Sequence, residues 1–250
     1  MTTVSQLDSI DDNLAMATAR HEAQIGQISV SQRRWLRRRA LEWFSHSGRT
    51  FPWRAASDPY HVLIAELLLQ RTRADLVEPI YHTFLDVYPD VAALAQADEA
   101  DVVALLRPLG FLHRSARLPA LARALMERHE GAVPSTKEEL LALPGVGEYV
   151  ANAVLAIAFD ERRPLLDPNV IRVVGRVFGR RSVRARARDD RQLWQEIAAL
   201  LPRRSPTQFA LALVDLGAIL CRPRRPRCHE CPLRLKCKAF LSGDVSPAHL

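Results

Sequence analysis

Two carboxylates and four cysteines stand out by type and placement. Glu66 sits in Val62-Leu63-Ile64-Ala65-Glu66-Leu67-Leu68-Leu69, with seven apolar neighbours. A carboxylate in such company is costly to bury unless it is paired or protonated. On a fully buried helix it would hold its proton strongly and could serve as an acid. On a thin polar stripe shared with Gln70 and Arg73, four and seven residues on, it would be an ordinary solvated side chain. Asp167 precedes Pro168, which fits a helix N-cap followed by proline at the first helical position. Helix N–H groups would keep such a carboxylate ionised, whether it serves only as a cap or also faces a ligand. Cys221, Cys228, Cys231 and Cys237 follow the spacing C-x6-C-x2-C-x5-C and are the chain's full complement of cysteines. Their confinement to one short segment argues for a shared ligand. Four thiolates can hold structural zinc or a [4Fe–4S] cluster, and the spacing alone leaves both open. Disulfides are disfavoured in a cytoplasmic chain.

A third feature lies between the carboxylates. Leu143-Pro144-Gly145-Val146-Gly147-Glu148-Tyr149 reads as a very tight turn between two helices. Ser135-Thr136-Lys137-Glu138 reads as a capping box for the first, leading into Leu140, Leu141 and Leu143. The second carries Val150, Ala153, Val154, Ile157 and Ala158, spaced at threes and fours. Gly145 and Gly147 are expected to supply unusual backbone angles and to let a ligand approach the main chain. The second helix would then present unpaired N–H groups to an open turn, which attracts phosphate. By itself the turn is equally a plain helix-turn-helix corner.

The elements around these features read as helices almost throughout. Ser31 can cap a helix carrying Trp35, Leu36, Ala40, Trp43 and Phe44, with Arg33, Arg34, Arg37, Arg38 and Arg39 on its other faces. That arginine run is either a solvated face or a phosphate contact. Phe51-Pro52-Trp53-Arg54 and Ser57-Asp58-Pro59-Tyr60 are loop signals. The Glu66 helix is expected from His61 to about Arg73. Short helices follow over 75–130, and a valine-rich helix follows Asp167. Arg180 to Arg188 form a basic loop, either a plain surface loop or a DNA contact, and two further helices lie around 194–200 and 207–220. Strand patterning is almost absent, so the class is all-α. The chain has 250 residues, enough for one large domain or two small ones. Its net charge is +7, with a pI near 9.7, which favours an anionic partner such as nucleic acid or a membrane surface. The longest apolar run, Ala153 to Phe159, is far short of a membrane span. No secretory signal is seen, so a cytoplasmic protein is expected.

Taken together, LPGVGEYVANAVLAIAF and LLDPNVIRVVGRVFG resemble the helix-hairpin-helix and Gly/Pro-Asp signature of the endonuclease III superfamily of DNA glycosylases. The likeness runs from about Phe51 to Cys237 and is strongest with the branches acting on mismatched thymine or mismatched adenine. It implies two helical domains with the active site in the cleft between them. The helical barrel domain with the hairpin would take 56–161. The cluster domain would combine 31–55 with 162–240, flanked by a mobile tail over 1–30 and a C-terminal tail over 241–250. It also implies a [4Fe–4S] cluster on the four cysteines, and a double-stranded DNA partner bound by a monomer associated with the nucleoid.

The same resemblance gives the site residues roles. Glu66 would protonate the leaving base, and Asp167 would stabilise the electron-poor sugar or orient water. Glycosylases with lyase activity carry a lysine at the position of Tyr149. A tyrosine cannot form a Schiff base, so a monofunctional enzyme is implied, with Tyr149 lining the base pocket. Gln70, with Arg71 nearby, would fill the gap left by the flipped base or contact its orphaned partner. Leu112 is a second wedge candidate or an ordinary core leucine. Asn169 would support the site. Adenine-specific relatives usually read Gln-Gln-Thr where this chain has Gln70-Arg71-Thr72, and they carry a further domain recognising 8-oxoguanine. Both differences lean towards thymine or uracil opposite guanine. Adenine excision and a non-catalytic DNA-binding protein are the alternatives.

Overall fold

The computed structural model describes residues 28–110, 115–180, 182, 184 and 186–245; Leu112, most of the expected N-terminal tail and the second half of the expected C-terminal tail lie outside them. Helices and turns make up the described residues, with no strand among them. Helix α1 (Val30–Ser47) starts from Ser29 rather than Ser31. The Ser29 hydroxyl accepts from Gln32 N, and the Gln32 side chain accepts from Ser29 N, a reciprocal box that Ser31 does not form. The arginine run on α1 is in part structural. Arg37 donates to the carbonyls of Ala199, Leu200 and Leu201, so it caps the end of another helix instead of facing a ligand.

Helix α2 (Pro59–Leu68) begins on Asp58, whose side chain accepts from Tyr60 N. It ends five residues before the expected Arg73, because the chain turns sharply at Arg71, which adopts a left-handed φ of 63°. Then come α3 (Ala74–Val87), α4 (Val91–Ala95), α5 (Glu99–Leu106), α6 (Leu118–His129), α7 (Lys137–Leu141) and α8 (Glu148–Ala158). The order finishes with α9 (Pro168–Phe178), α10 (Arg191–Leu200), α11 (Pro206–Asp215), a π-helical turn over Leu216–Leu220 that runs into Cys221, and α12 (Lys238–Leu241).

The apolar side chains form two cores. One gathers α2 to α6 with Trp53, Tyr81, Phe84 and Leu125 among its buried members. The other gathers α1, α9, α10 and α11 around Leu36, Val174, Ile197 and Phe209. Helix α8 is the wall between them. Val150, Ala151, Val154 and Leu155 face the first core, Ala153 and Ala156 face the second, and Tyr149 and Ile157 touch both. A helix with apolar residues all round its circumference is buried on both sides, and here that makes it the common partition. The chain beyond the cysteines also packs back, since Val245 O accepts from Arg176.

Candidate active site

The hairpin turn joins α7 to α8. Thr136, not Ser135, caps α7: its hydroxyl accepts from Glu139 N and donates to the Glu139 carboxylate at 2.5 Å. Gly145 has φ +83°, where a side chain would be strained. Gly147 differs from expectation. Its φ of −106° is open to any residue, so its contribution is space: a Cβ there would meet nothing within 4 Å. Gly147 is the N-cap of α8 and no side chain caps that helix, leaving its first N–H groups without a side-chain acceptor. Lys137 pairs with Glu148 across the turn. Gln70 Nε2 donates to Gly145 O at 3.3 Å, which ties the end of α2 to the hairpin. Arg71, next to it, is exposed.

Glu66 faces inward, not onto a polar stripe. It is 5% exposed, and burial raises its carboxyl from the ordinary 4.5 to about 7. The nearby Arg54 charge works against that rise and Asp167 works with it. No hydrogen bond reaches the Glu66 carboxyl among the described residues.

Asp167 is the N-cap of α9, as its Asp-Pro pairing implies. Oδ1 accepts from Val170 N at 2.7 Å and Oδ2 accepts from Asn169 Nδ2 at 2.7 Å. Those bonds favour the charged form, as expected, yet they do not set the direction of the shift. Burial outweighs them and raises its proton affinity, while Val170, Asn169 and Arg172 pull the other way. The asymmetry between the two carboxyls survives in another form: Asp167 has two donors on its charged state and Glu66 has none. Asn169 is itself oriented. Arg172 Nη2 donates to its Oδ1 at 2.7 Å and to Gly217 O at 2.8 Å, and Arg172 Nε donates to Cys221 O at 2.5 Å. A Cβ on Gly217 would lie 2.8 Å from Asn169 Cα and O, so the π-helical turn is pressed against the Asp167 loop.

Tyr149 sits where both cores meet. Burial, then the charges of Glu66 and Asp167, raise its phenol well above its usual value, while Arg54 and Arg49 oppose them. The hydroxyl therefore keeps its proton and can donate it in a hydrogen bond.

Sequence reasoning missed one group. Asp215, in the apolar stretch of α11, is fully buried and receives Arg49 N at 2.8 Å, Arg49 Nε at 2.7 Å and both Arg54 Nη atoms at 2.9 and 2.8 Å. The signal was present, since a lone carboxylate among apolar residues is the very pattern that singled out Glu66.

The four cysteines line one pocket, walled by Val173, Val177, Leu216, Leu220, Leu233 and Phe240 and by Arg176. Among the described residues, no three His, Cys, Asp or Glu side chains are gathered as a single metal ion would need.

The chain as a whole is similar to known proteins. The model of the HhH-GPD superfamily of base excision DNA repair proteins matches residues 64–199, and the chain belongs to that superfamily. Within it, the chain is 40% identical over 206 residues to a thymine-DNA glycosylase of Aeropyrum pernix, covering 81% of this chain and 92% of that one. It is 40% identical over 197 residues to a thymine/uracil-DNA glycosylase of Pyrobaculum aerophilum, covering 77% and 86%. An adenine DNA glycosylase of Mycobacterium tuberculosis is 39% identical over 198 residues, covering 77% of this chain and 64% of its own length. Among solved structures, a thermostable thymine-DNA glycosylase superposes with a TM-score of 0.80 at 29% identity, over 86% of this chain and 100% of the other. Endonuclease III from a non-covalent DNA complex shares the fold, with a TM-score of 0.75 over 86% of this chain and 98% of its own at 22% identity. No described helix is long and apolar enough to cross a membrane.

Proposed function

We propose that the chain is a monofunctional DNA glycosylase that removes thymine or uracil paired with guanine and leaves an abasic site. The observation that carries this reading is the pair of carboxyls at the junction of the two cores: Glu66 buried without a donor, Asp167 held by Val170 N and Asn169. Glu66, protonated near neutral pH, gives its proton to the departing base as the N-glycosidic bond breaks. Asp167 supplies the negative charge that the cationic sugar needs until a water adds to its C1′ and gives up a proton, and the Asn169–Arg172 bonds keep it aimed. The duplex lies across the hairpin, with a phosphate at the N-terminus of α8, and the target base leaves the stack to enter the cleft. Gln70 and Arg71 stand at the edge of the hairpin, in a place suited to the vacated stack. Tyr149 lacks the amine that lyase chemistry requires. A monomer suffices, since both carboxyls come from one chain.

The relatives acting on thymine and uracil support the substrate assignment, and those acting on adenine keep adenine as the second reading. The donor set also fits a [4Fe–4S] cluster: four thiols around one apolar-walled pocket, with basic Arg176 against them to balance thiolate charge. Cys221, Cys228, Cys231 and Cys237 would hold it. A bound cluster would tie Cys221, at the end of the π-helical turn, to the C-terminal segment that carries Cys228, Cys231 and Cys237.

The test is excision from labelled duplexes with T/G, U/G, A/G and A/8-oxoguanine pairs, each with and without hot alkali. Breaks only after alkali on T/G and U/G are expected. Cleavage at adenine would move the chain to the other reading, and breaks without alkali would overturn the monofunctional assignment. Asp167→Asn should abolish excision while sparing DNA binding. Unchanged excision would reduce Asp167 to a cap.

A further inference from the structure

A group of arginines around the C-terminal end of α10 is left unused by the active-site reading. Arg37 from α1 and Arg162 from the connector between α8 and α9 converge there. Arg37 Nε donates to Leu200 O at 2.7 Å, and its Nη2 donates to Ala199 O at 3.0 Å and Leu201 O at 3.1 Å. Arg162 Nε donates to Pro202 O at 3.2 Å, and its Nη2 donates to Leu201 O at 2.7 Å and Ala198 O at 3.2 Å. Two guanidinium groups thus share the Leu201 carbonyl, a meeting of like charges that the negative end of α10 helps to hold. Burial, then the charges of Arg33 and Arg162, makes Arg37 give up its proton more readily than usual, which places Arg33 in the same group. Arg34 and Arg38 are exposed one turn apart on α1, and Arg203 and Arg204 are exposed just past Pro202. Carboxylates do not balance this charge. Glu42 pairs with Arg39 and Glu161 with Arg163, while Asp160 makes no ion pair among the described residues. Arg162 Nη1 has no acceptor among the described residues, and the residue is exposed.

We propose that Arg33, Arg34, Arg38, Arg162, Arg203 and Arg204 form a second surface for duplex DNA, so that one chain holds a segment here while the hairpin engages another. Arg37 remains a helix cap that adds its charge. The inference goes beyond the glycosylase reading and needs from it only that the chain binds DNA. The surface lies away from the hairpin. Helix α8 runs 11 residues from Glu148 at the hairpin to Ala158, about 16 Å, and Arg162 follows its far end. A polyanion fits it better than an acidic protein. Protein interfaces centre on apolar side chains with charge kept to the rim, whereas surfaces for DNA are polar and strongly positive. Of the large exposed apolar side chains, Val30 alone lies on α1, and none lies on residues 159–163 or 198–204. Arginine also matches phosphate oxygens with paired donors, and every cation that meets a phosphate releases counterions from the duplex.

The experiment is sedimentation velocity of the full-length purified protein with an excess of a short U/G duplex at low salt. One chain should carry two duplexes and should lose the second before the first as salt is raised. A variant with Arg203→Glu and Arg204→Glu should bind the second duplex about tenfold more weakly, the size expected when two phosphate contacts become repulsive. Arg162→Gln should weaken it too; the exposed pair serves if that variant, which gives up bonds to the end of α10, fails to fold. Single-turnover uracil excision from the same duplex reports the hairpin site and should be unchanged in the charge-reversed variant. A wild-type chain that never holds more than one duplex overturns the proposal and leaves the glycosylase reading standing. So does a second duplex that the charge-reversed variant keeps. A variant that loses excision together with the second duplex places these arginines at the first site, which also overturns it. If polyglutamate binds the wild type but not the variant while no second duplex binds, the patch belongs to an acidic protein and the proposal fails. A chain that binds no duplex at all would defeat the DNA reading as well.

Discussion

At position 66 function is opposed to stability. Glu66 folds into a site that raises its carboxyl from 4.5 to about 7, so the unfolded chain gives up this proton more readily than the native one. The stability this group permits is complete below about pH 4.5 and is lost as pH rises through 7. At that size of shift the loss amounts to about 3 kcal/mol by pH 8, taking about 1.4 kcal/mol per pH unit. Glu66→Gln should therefore unfold at higher denaturant than wild type at pH 8, and the gap should close at pH 4.5. Chemical denaturation at the two pH values checks this, and a gap independent of pH would place Glu66 in a wetter environment than its burial indicates. Asp167 and Asn169 work at the same scale: each has its charge or dipole fixed by a named donor, so the pair is set before any substrate arrives.

Two contacts between elements decide whether those residues face each other. The first is the hairpin. Glu148 occupies the first helical position of α8, where a phosphate would dock, and Lys137 neutralises it from α7. Glu148→Gln should tighten binding of duplex DNA by about two- to fivefold at low salt, the size expected for a single charge at an exposed helix N-terminus. Fluorescence anisotropy measures it, and weaker binding would mean that DNA does not approach this end of α8. The second is the press of Gly217 on Asn169. Gly217→Ala places a methyl group against the Asn169 backbone, which should cost about 1–3 kcal/mol and lower the excision rate by displacing Asn169 and with it Asp167. Thermal melting and single-turnover rates test both effects. An alanine variant of full activity would show that the π-helical turn yields without disturbing Asp167.

Across the whole molecule, two cores share α8 and enclose the site between them, and the basic balance of the chain serves a polyanion. Binding of duplex DNA should weaken linearly in logarithmic salt, with a slope of about −0.9 for each phosphate neutralised. A flat response would remove the electrostatic account. The proposed cluster can be tested globally as well. Cys228→Ser should abolish iron and acid-labile sulfide in the purified protein and lower the melting temperature. The loss should fall on the second core, because Cys221, Cys231 and Cys237 pack against it. Unchanged metal content would overturn the assignment of the four thiols.

The amino-acid sequence alone determined the all-helical class, the hairpin and the candidates Glu66 and Asp167. Each leaves a local trace: apolar spacing, a pair of glycines, a charge where charge is costly. Local chemistry also set the N-caps at Asp58 and Asp167, since a short polar side chain reaches only the next few N–H groups. Other features needed the folded chain. The choice of Ser29 over Ser31 and of Thr136 over Ser135 depends on which side chain the entering backbone presents, and neighbouring residues of one type look alike in sequence. That Asp167 is raised rather than lowered depends on burial summed over both halves of the molecule. Asp215 shows in the sequence as a lone carboxylate among apolar residues, but its partners Arg49 and Arg54 lie more than 160 positions away, so no local pattern could disclose the clamp itself. Sequence spacing records what neighbours along the chain do to one another; the proton affinities of the site come first from burial, and then from nearby charges, that only tertiary packing supplies.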